Sequence, residues 1–528
     1  MTDPSPTMLP VMIGECTGWF HRPAAEAMDV AVLLCQGSGQ DYTNGYRPMR
    51  ILADQLAAGG IPVLRFDYPG TGDAADLRSG DTWPVWRESV SEAADWLRRV
   101  SGAGRLVLAG LRIGAALAAL EASARGDVAG LVLFEPVLTL RSLLTQMTME
   151  SRLRKKSPEV GAPEGGIALG ELSFSARDLA EMRAIDITRL SFQTAMPAAI
   201  FAQADGAKLA TRLAVWTEAG IACEFHNFAP FEALLRPSQH SGEAEIDATA
   251  LLDWLRREIL PAPAGSCALP WPGALKSPQW EEKFISFGEA PYRAGVLCQP
   301  HGGAELALLI GNSGGNPRHG FARFGTHLAR RLGEAGIASL RFDFAGLGDS
   351  IFLEDGVDTQ SDVFRQDREA DFSAAIDRLR LEGFSRFAVQ GLCSGAYHAV
   401  RAAAADPRIE ALSVVNLPGF TLRMDPPGPQ SIARKTLCGF LRQGTRAQFL
   451  FSAADTGARQ FERHFGPLGQ DLDGQPGIEA EFSESFDHEL TEHWMQTIAI
   501  TKIIRFLRHP SAQPMSGLVR NAFQRSTK

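Results

Sequence analysis

The sequence predicts two α/β domains in tandem, each with a mostly parallel sheet flanked by helices. In each half of the chain, short apolar segments alternate with glycine-containing turns and helix-like runs, which is the order that builds βαβ units. In addition, two motifs occur once in each half, in the same order. A chain of 528 residues also exceeds the roughly 250–300 residues that one hydrophobic core supports.

The repeated motifs are long enough to indicate a duplication. Residues 65–73 read RFDYPGTGD, and residues 341–349 read RFDFAGLGD. Residues 109–115 read AGLRIGA, and residues 390–396 read QGLCSGA. The spacing between the copies is that of a domain, far above the roughly 20–50 residues of solenoid repeats. The sequence therefore predicts a tandem duplication of a whole domain.

The first half begins with a strand over residues 31–35 and a loop of small polar residues over 36–40. A helix that contains residues 49–56 follows. Residues 61–64 are the next predicted strand, and residues 105–108 are the strand that leads into the AGLRIGA turn.

The second half repeats this order. Residues 306–310 are a predicted strand, 311–315 a loop of small residues, and 327–332 part of a helix. Residues 337–340 are the next strand, and residues 387–390 lead into the QGLCSGA turn.

The domain boundaries follow from composition. Residues 261–280 are rich in Pro, Gly and Ala without clear periodicity, so we interpret them as a linker. They separate a first domain over residues 1–260 from a second domain over residues 281–510. Residues 511–528 are predicted to be a flexible polar tail.

Composition argues against several classes of function. The net charge of −9 disfavours a nucleic-acid partner, because phosphate binding needs a basic face. No run approaches the roughly 18 apolar residues of a membrane span, and the first residues lack the pattern of a secretory signal. Seven cysteines without C-x-x-C spacing favour a reducing compartment, so we expect a cytoplasmic protein. Neither a metal-ligand cluster nor a dinucleotide fingerprint is present, so no cofactor is predicted.

Cys393 is the residue most informative about function. It is the centre of the pentapeptide GLCSG, between a predicted strand and a helix-like run. A G-x-nucleophile-x-G frame in that context predicts the sharp strand-to-helix turn called a nucleophile elbow, which exposes the central side chain. The helix N-terminus that follows presents an amide to a developing oxyanion.

The small-residue loop, the RFD motif and the elbow, in that order, resemble the α/β-hydrolase superfamily, and the resemblance covers both halves. A narrower resemblance is to the paired hydrolases found beside exosortase and exopolysaccharide loci, in which one member reads G-L-R-x-G and the other G-L-C. The superfamily order of nucleophile, acid and histidine implies where the other site residues lie.

In the second half the resemblance implies a triad of Cys393, Asp455 and His488. Asp455 follows a predicted strand over residues 448–452, and His488 precedes the terminal helix, predicted over residues 498–507. His488 would deprotonate the thiol or form an ion pair with it, and Asp455 would hold the imidazole tautomer.

Rival assignments stay open at each position. Ser394 competes as nucleophile, although it lies one place late in the glycine frame. Asp487 competes as acid because it adjoins His488 in sequence, and His493 competes as base, although it lies in a helical run. The oxyanion hole would come from the backbone amides of Ser394 and Ser313.

The first half departs from this pattern at the nucleophile position, which Arg112 occupies. A guanidinium cannot attack a carbonyl, so the first domain is predicted to lack hydrolase activity. The candidate for the acid is Asp205, whereas Arg236 or His240 lies near the expected place of the histidine. Arg112 either pairs with Asp205 or binds a carboxylate or phosphate.

The interval between the last central strand and the acid differs between the halves. Residues 139–194 are long enough for a helical cap over the first pocket. Four apolar side chains there have helical spacing: Leu140, Leu143, Leu144 and Met147. The second interval, residues 419–444, is short, so we expect the second pocket to be open or to be roofed by the first domain.

We predict a hydrolase or acyltransferase for a small-molecule ester or thioester, acting through an acyl-cysteine in the C-terminal domain. A sugar hydroxyl is a candidate acceptor for acyl transfer. The alternative is a catalytically inactive pair that serves as a binding or scaffold component of exopolysaccharide biosynthesis. The acid and base expected around Cys393 argue against that alternative.

Overall fold

The structure is a computed structural model. It describes residues 7–23, 27–77, 81–154, 164–203, 206–236, 246–259, 267–270, 272–289, 292–350, 363 and 368–508. The predicted tail, Asp205 and His240 lie outside the described residues.

The described part of the first half forms a large sheet, a small hairpin and nine helices. The strands of the large sheet are β1 (Thr7–Ile13), β2 (Cys16–Arg22), β3 (Val30–Cys35), β4 (Val63–Asp67), β5 (Arg105–Leu111), β6 (Val128–Phe134), β9 (Pro197–Ala202) and β10 (Ala222–Asn227). The hairpin is β7 (Ile167–Leu169) and β8 (Leu172–Phe174). The helices are α1 (Gln40–Ala58), α2 (Thr82–Ser101), α3 (Ile113–Ala124), α4 (Leu140–Leu153), α5 (Ala176–Arg183), α6 (Gly206–Arg212), α7 (Ala214–Glu218), α8 (Phe231–Leu234) and α9 (Thr249–Glu258).

The described part of the second half forms one sheet and six helices. The strands are β11 (Ala274–Lys276), β12 (Trp280–Phe287), β13 (Arg293–Pro300), β14 (Leu306–Ile310), β15 (Ala338–Phe342), β16 (Arg386–Leu392), β17 (Ile409–Val415), β18 (Arg446–Ser452) and β19 (Ile478–Ser483). The helices are α10 (Phe324–Glu334), α11 (Arg368–Leu381), α12 (Ser394–Ala405), α13 (Ile432–Gln443), α14 (Thr456–Phe465) and α15 (His493–Arg508).

The two sheets have the same topology. The first has the strand order β1-β2-β4-β3-β5-β6-β9-β10, and the second has β12-β13-β15-β14-β16-β17-β18-β19 with β11 added at its edge. In both, two antiparallel pairings at one edge lead into a parallel series. The central strands β3 and β14 are buried along their whole length because helices cover both faces of each sheet. The predicted fold class, two α/β domains that each have a mostly parallel sheet flanked by helices, is confirmed.

Several boundaries differ from the prediction. The strand expected over residues 61–64 begins at Val63, after a proline that has no N–H to donate. The segment interpreted as a linker contains β11 and the first residue of β12, which extend the second sheet. The terminal helix begins at His493, five residues before the predicted start.

The helix that the apolar spacing predicts within residues 139–194 is present as α4. The four buried residues of α4 are those with helical spacing: Leu140, Leu143, Leu144 and Met147. Helix α4 is followed by the β7–β8 hairpin and α5. In the second domain the corresponding interval contains α13.

The two copies of the RFD motif contact each other across the two domains. Asp73 of the first copy accepts a hydrogen bond from Arg341 of the second copy at 2.8 Å, and Asp349 of the second accepts one from Arg65 of the first at 2.7 Å. Arg318 pairs with both aspartates. All of these side chains are buried. The contact is therefore reciprocal, as in an isologous dimer interface, and the two domains present equivalent surfaces to each other.

Each copy of the motif also holds its own turn. Asp67 accepts a hydrogen bond from the backbone N–H of Asp73, and Asp343 accepts the equivalent one from Asp349. Gly72 lies between the first pair with φ 49°, and a Cβ there would lie 2.3 Å from the Asp67 carboxylate. Only glycine fits such a turn without displacing the carboxylate.

Among the described residues, no helix combines the length and the apolar character needed to cross a membrane.

Candidate active site

The predicted elbow is present at the junction of β16 and α12. Cys393 has φ 53° and ψ −120°, outside the regions that most residues occupy. A Cβ on Gly391 would lie 2.1 Å from the Gly395 carbonyl oxygen, and one on Gly395 would lie 2.4 Å from that of Asn312. The two glycines therefore allow the turn, and the turn presents the half-buried Cys393 at the carboxyl edge of the sheet.

The structure brings the three predicted triad residues together. Nε2 of His488 lies 3.1 Å from Sγ of Cys393, and Nδ1 of the same ring lies 2.5 Å from Oδ2 of Asp455. Asp455 caps α14 and also accepts a hydrogen bond from the backbone N–H of Gly457 at 2.7 Å. Its carboxylate is thereby fixed, and it can orient the imidazole.

The electrostatics of the trio favour a protonated imidazole. Hydrogen bonds to Asp455 and then to Cys393 raise the pKa of His488 to about 10. Burial opposes ionisation of Asp455, but its hydrogen bonds with His488 and Gly457 hold its pKa below the ordinary value. A positively charged ring next to sulfur is the arrangement found at activated thiols.

The two backbone amides predicted to form an oxyanion hole lie at the elbow and in the loop after β14. Ser394 is the first residue of α12, and no described residue accepts a hydrogen bond from its backbone N–H or from that of Ser313. The hydroxyl of Ser394 accepts a hydrogen bond from the backbone N–H of Gly314 at 2.7 Å. The Ser394 side chain is therefore engaged with the loop that carries Ser313.

The rival residues have other partners. Asp487 accepts hydrogen bonds from the backbone N–H and the hydroxyl of Thr491, so it stabilises a turn. His493 begins α15 and contacts the ring of His327, with centroids 4.7 Å apart. Neither group is a hydrogen-bond partner of the Cys393–His488 pair.

Asn416 positions the histidine loop, and sequence reasoning missed it. Its side-chain amide donates to the carbonyl oxygens of Asp487 at 3.1 Å and His488 at 2.8 Å. Its carbonyl oxygen accepts from the backbone N–H of Ser452 at 2.7 Å. Asn416 is fully buried and has φ 50°. The sequence did contain a signal for this role, since Asn416 is a polar residue directly after an apolar strand that lies beside the elbow strand in a parallel sheet.

The first domain has the same elbow with a different side chain. Arg112 has φ 56° and ψ −114°, close to the values of Cys393. Its guanidinium lies 3.2 Å from the Asp41 carboxylate and 3.5 Å from the Glu135 carbonyl oxygen, and it stacks over Phe231. Arg112 is thus satisfied by groups of its own domain. Asp205, which was expected to pair with Arg112, lies outside the described residues. The backbone carbonyl oxygen of Arg236 accepts a hydrogen bond from the side-chain amide of Asn44 at 2.8 Å.

Most of the other cysteines are in environments that disfavour the thiolate. Burial raises the pKa of Cys16 to about 12 and that of Cys223 to about 11. Burial shifts the pKa values of Cys35 and Cys298 further in the same direction. Among the described residues, no group of three or more His, Cys, Asp or Glu side chains is arranged to hold a metal ion.

The first domain reaches the surroundings of the second-domain site. The guanidinium of Arg154, just after α4, lies 3.4 Å from the Glu492 carboxylate. Gly170, at the tip of the β7–β8 hairpin, lies against Ala322 and Thr491. Parts of the first-domain cap therefore pack next to the segment that carries His488.

Comparisons with solved structures find esterases and a dienelactone hydrolase, each matched by less than half of this chain. The chain is similar to a cold-adapted esterase from an Arctic intertidal metagenomic library, with 18% identity over 45% of this chain and 99% of that chain and a TM-score of 0.32. It is similar to an esterase of Pyrococcus furiosus, with 16% identity over 43% of this chain and 90% of that chain and a TM-score of 0.32. It is also similar to dienelactone hydrolase from Anabaena variabilis, with 16% identity over 44% of this chain and 100% of that chain and a TM-score of 0.34. No protein-family model and no curated protein sequence matches the chain.

Proposed function

We propose that the protein is an ester or thioester hydrolase, or an acyltransferase, that acts through an acyl-cysteine in its second domain. The observation that carries this proposal is the continuous line of contacts from Asp455 through His488 to Cys393. A nucleophile, a base within hydrogen-bond reach and a third group that orients the base are the signature of covalent catalysis.

In the proposed first step, the Cys393 sulfur attacks the carbonyl carbon and forms a C–S bond. The carbonyl π electrons move to oxygen, and the backbone amides of Ser394 and Ser313 stabilise the resulting oxyanion. When the carbonyl re-forms, the bond to the leaving alkoxide or thiolate breaks. His488 gives its proton to that leaving group.

The second step releases the acyl group. His488 takes a proton from water or from an alcohol, whose oxygen attacks the thioester carbon of the acyl-cysteine. The C–S bond breaks, and sulfur leaves as the thiolate beside the imidazolium. With water the product is a carboxylic acid, and with a sugar hydroxyl it is a new ester. These steps consume no cofactor.

The cysteine favours thioester substrates or acyl transfer over simple ester hydrolysis. Exchange between a thioester and a thiol changes the free energy little, so the acyl-cysteine forms readily from a thioester. All seven cysteines are free, which suits a reducing compartment, and we propose that the protein works in the cytoplasm.

We further propose that the chain arose by tandem duplication and that its first domain lost its nucleophile. Matching sheet topology, matching elbow dihedral angles and the reciprocal RFD contacts support this proposal. The first domain would then act by packing against the catalytic domain.

A substrate panel tests the function. Hydrolysis of p-nitrophenyl esters and of acyl thioesters, and transfer to sugar alcohols, are measured for the wild type, Cys393→Ala and the control Cys438→Ala, which removes a half-buried thiol on α13. We expect activity in the wild type and the control but not in Cys393→Ala. Equal activity of all three would contradict the proposal, and so would the absence of turnover and of acylation by every donor.

A further inference from the structure

The second domain contains a cavity of about 300 Å³ that the proposed catalytic steps do not use. It lies between the loop over residues 417–425 and helix α14. The aromatic rings of Phe420 and Phe461 form part of its wall, and the side chains of Leu422 and Met424 are exposed on the loop. Its volume is at the lower end of the range for small-molecule sites.

Two exposed arginines, Arg423 and Arg463, line this cavity. The guanidinium of Arg423 makes no hydrogen bond or ion pair with a described residue, and that of Arg463 bonds to the neutral side chain of Gln460 at 3.3 Å. Nδ1 of the buried His464 has no hydrogen-bond partner within the described ranges. The wall also contains Asp425, whose carboxylate accepts two backbone N–H groups at the start of α13 and lies 3.6 Å from Nε2 of His464, so two guanidinium groups face one partnered carboxylate. The cavity therefore offers positive charge beside an apolar wall.

The cavity adjoins two groups that hold the histidine. Its wall includes Leu417, which follows Asn416, and Thr456, which follows Asp455. Asn416 bonds the backbone of His488, and Asp455 bonds its ring. A ligand in the cavity would therefore contact the sequence neighbours of the two residues that hold His488.

The surroundings of His488 on the side of the first domain have the opposite charge. Glu489 follows His488 directly, and Glu492 contacts Arg154 of the first domain. Burial raises the pKa values of Glu489, Glu492 and Glu171, because negative charge is poorly solvated on this side. An anionic substrate group is repelled there and attracted by the cavity.

We propose that the substrate carries an anionic group, a phosphate or a carboxylate, remote from the scissile bond, and that Arg423 and Arg463 bind it. This inference rests on the function proposed above. Phe420 and Phe461 pack against the apolar chain that connects the anion to the acyl carbon. The anion belongs either to a phosphorylated leaving thiol or to the far end of the acyl group, and both sources present the same chemistry to the cavity.

Three thioesters distinguish these sources. Hexanoyl-coenzyme A carries phosphates on the leaving thiol, adipoyl-N-acetylcysteamine carries a carboxylate on the acyl group, and hexanoyl-N-acetylcysteamine carries neither. For the wild type, we expect kcat/KM of at least one anionic thioester to exceed that of the neutral one about tenfold at low ionic strength, and we expect the ratio to fall as salt is added.

Variants assign the preference to the cavity. In the double variant Arg423→Gln/Arg463→Gln the ratio should fall to about one, and the single variants should give intermediate ratios. The control Arg442→Gln changes an exposed arginine at the last turn of α13 that is not part of the wall, and it should keep the wild-type ratio. Circular dichroism verifies the fold of each variant. If the double variant does not fold, the ratios of the two single variants provide the test.

The outcomes separate this inference from the proposed function. Turnover of all three thioesters at equal kcat/KM, or an unchanged ratio in the folded variants, would overturn the inference alone. Absence of turnover of every thioester counts against the proposed function. In that case calorimetric titration of coenzyme A and of adipate decides the inference. Binding to the wild type that is lost in the variants supports it, and no binding to the wild type overturns it.

Discussion

Replacing Asn416 with alanine should slow the enzyme by releasing the histidine loop. The substitution removes three hydrogen bonds, two to the carbonyl oxygens of Asp487 and His488 and one from the backbone N–H of Ser452. Each buried backbone group left without a partner costs about 1–3 kcal/mol. A displacement of a catalytic group by about 1 Å can cost about 100-fold in rate. We therefore expect kcat to fall about 10- to 100-fold.

The first domain supplies a matched control for this experiment. Glu135 follows β6 in the first domain as Asn416 follows β17 in the second, with φ 43° and a side chain that accepts from the backbone N–H of Gln203. Glu135→Ala should lower stability in urea denaturation but leave kcat within about twofold of the wild type.

Two assays separate a positioning effect from general destabilisation. Steady-state hydrolysis of a p-nitrophenyl ester gives kcat and KM, and KM should change little because Asn416 is fully buried. The rate of Cys393 alkylation by iodoacetamide reports on the thiol–imidazole contact without any substrate, and it should fall in Asn416→Ala. Unchanged kcat and unchanged alkylation in a folded Asn416→Ala variant would refute the reasoning.

Three further predictions concern the triad and the first domain. His488→Ala should reduce kcat about as much as loss of Cys393, because triad members act as a unit. Asp455→Asn should reduce kcat less. Loss of activity in His493→Ala instead would contradict the assignment of His488. In Arg112→Ala, the rate of acylation by a small activated ester, measured as the p-nitrophenol burst, should stay within about twofold of the wild-type rate. A large loss would show that the first domain takes part in the chemistry. The pKa of His488 is about 10 in the folded protein and 6.5 ordinarily, so its charge should stabilise the fold fully below about pH 6.5. In urea denaturation, the difference in stability between the wild type and His488→Gln should vanish as the pH rises through about 10. A difference that grows with pH would contradict this prediction.

The fold and the elbow were predictable because their signals are local. The glycine frame around Cys393 restricts the backbone within five residues, and alternating apolar runs define parallel strands whatever the rest of the chain does. Asp455 and His488 were accessible through the order of elements in a resembling superfamily. The rival residues Asp487 and His493 could be excluded only from the directions of their side chains, and a sequence pattern does not give those directions.

The contacts that join distant segments were not predictable from the sequence. The pattern showed that the RFD motif occurs twice, but the pairing of Arg65 with Asp349 depends on how the domains face each other. Likewise, the contact of Arg112 with Asp41 requires the first turn of α1 to lie beside the elbow. Such polar contacts have no periodicity, so their partners appear only when the chain is folded.

Trapping the acyl-enzyme tests the central claim most directly. The protein is mixed with p-nitrophenyl acetate or an acyl thioester, quenched in acid, and examined by intact-mass and peptide mass spectrometry. We predict one acyl group per chain, carried by the peptide that contains Cys393, and none in Cys393→Ala. An acyl group on Ser394 or on a residue of the first domain would contradict the account.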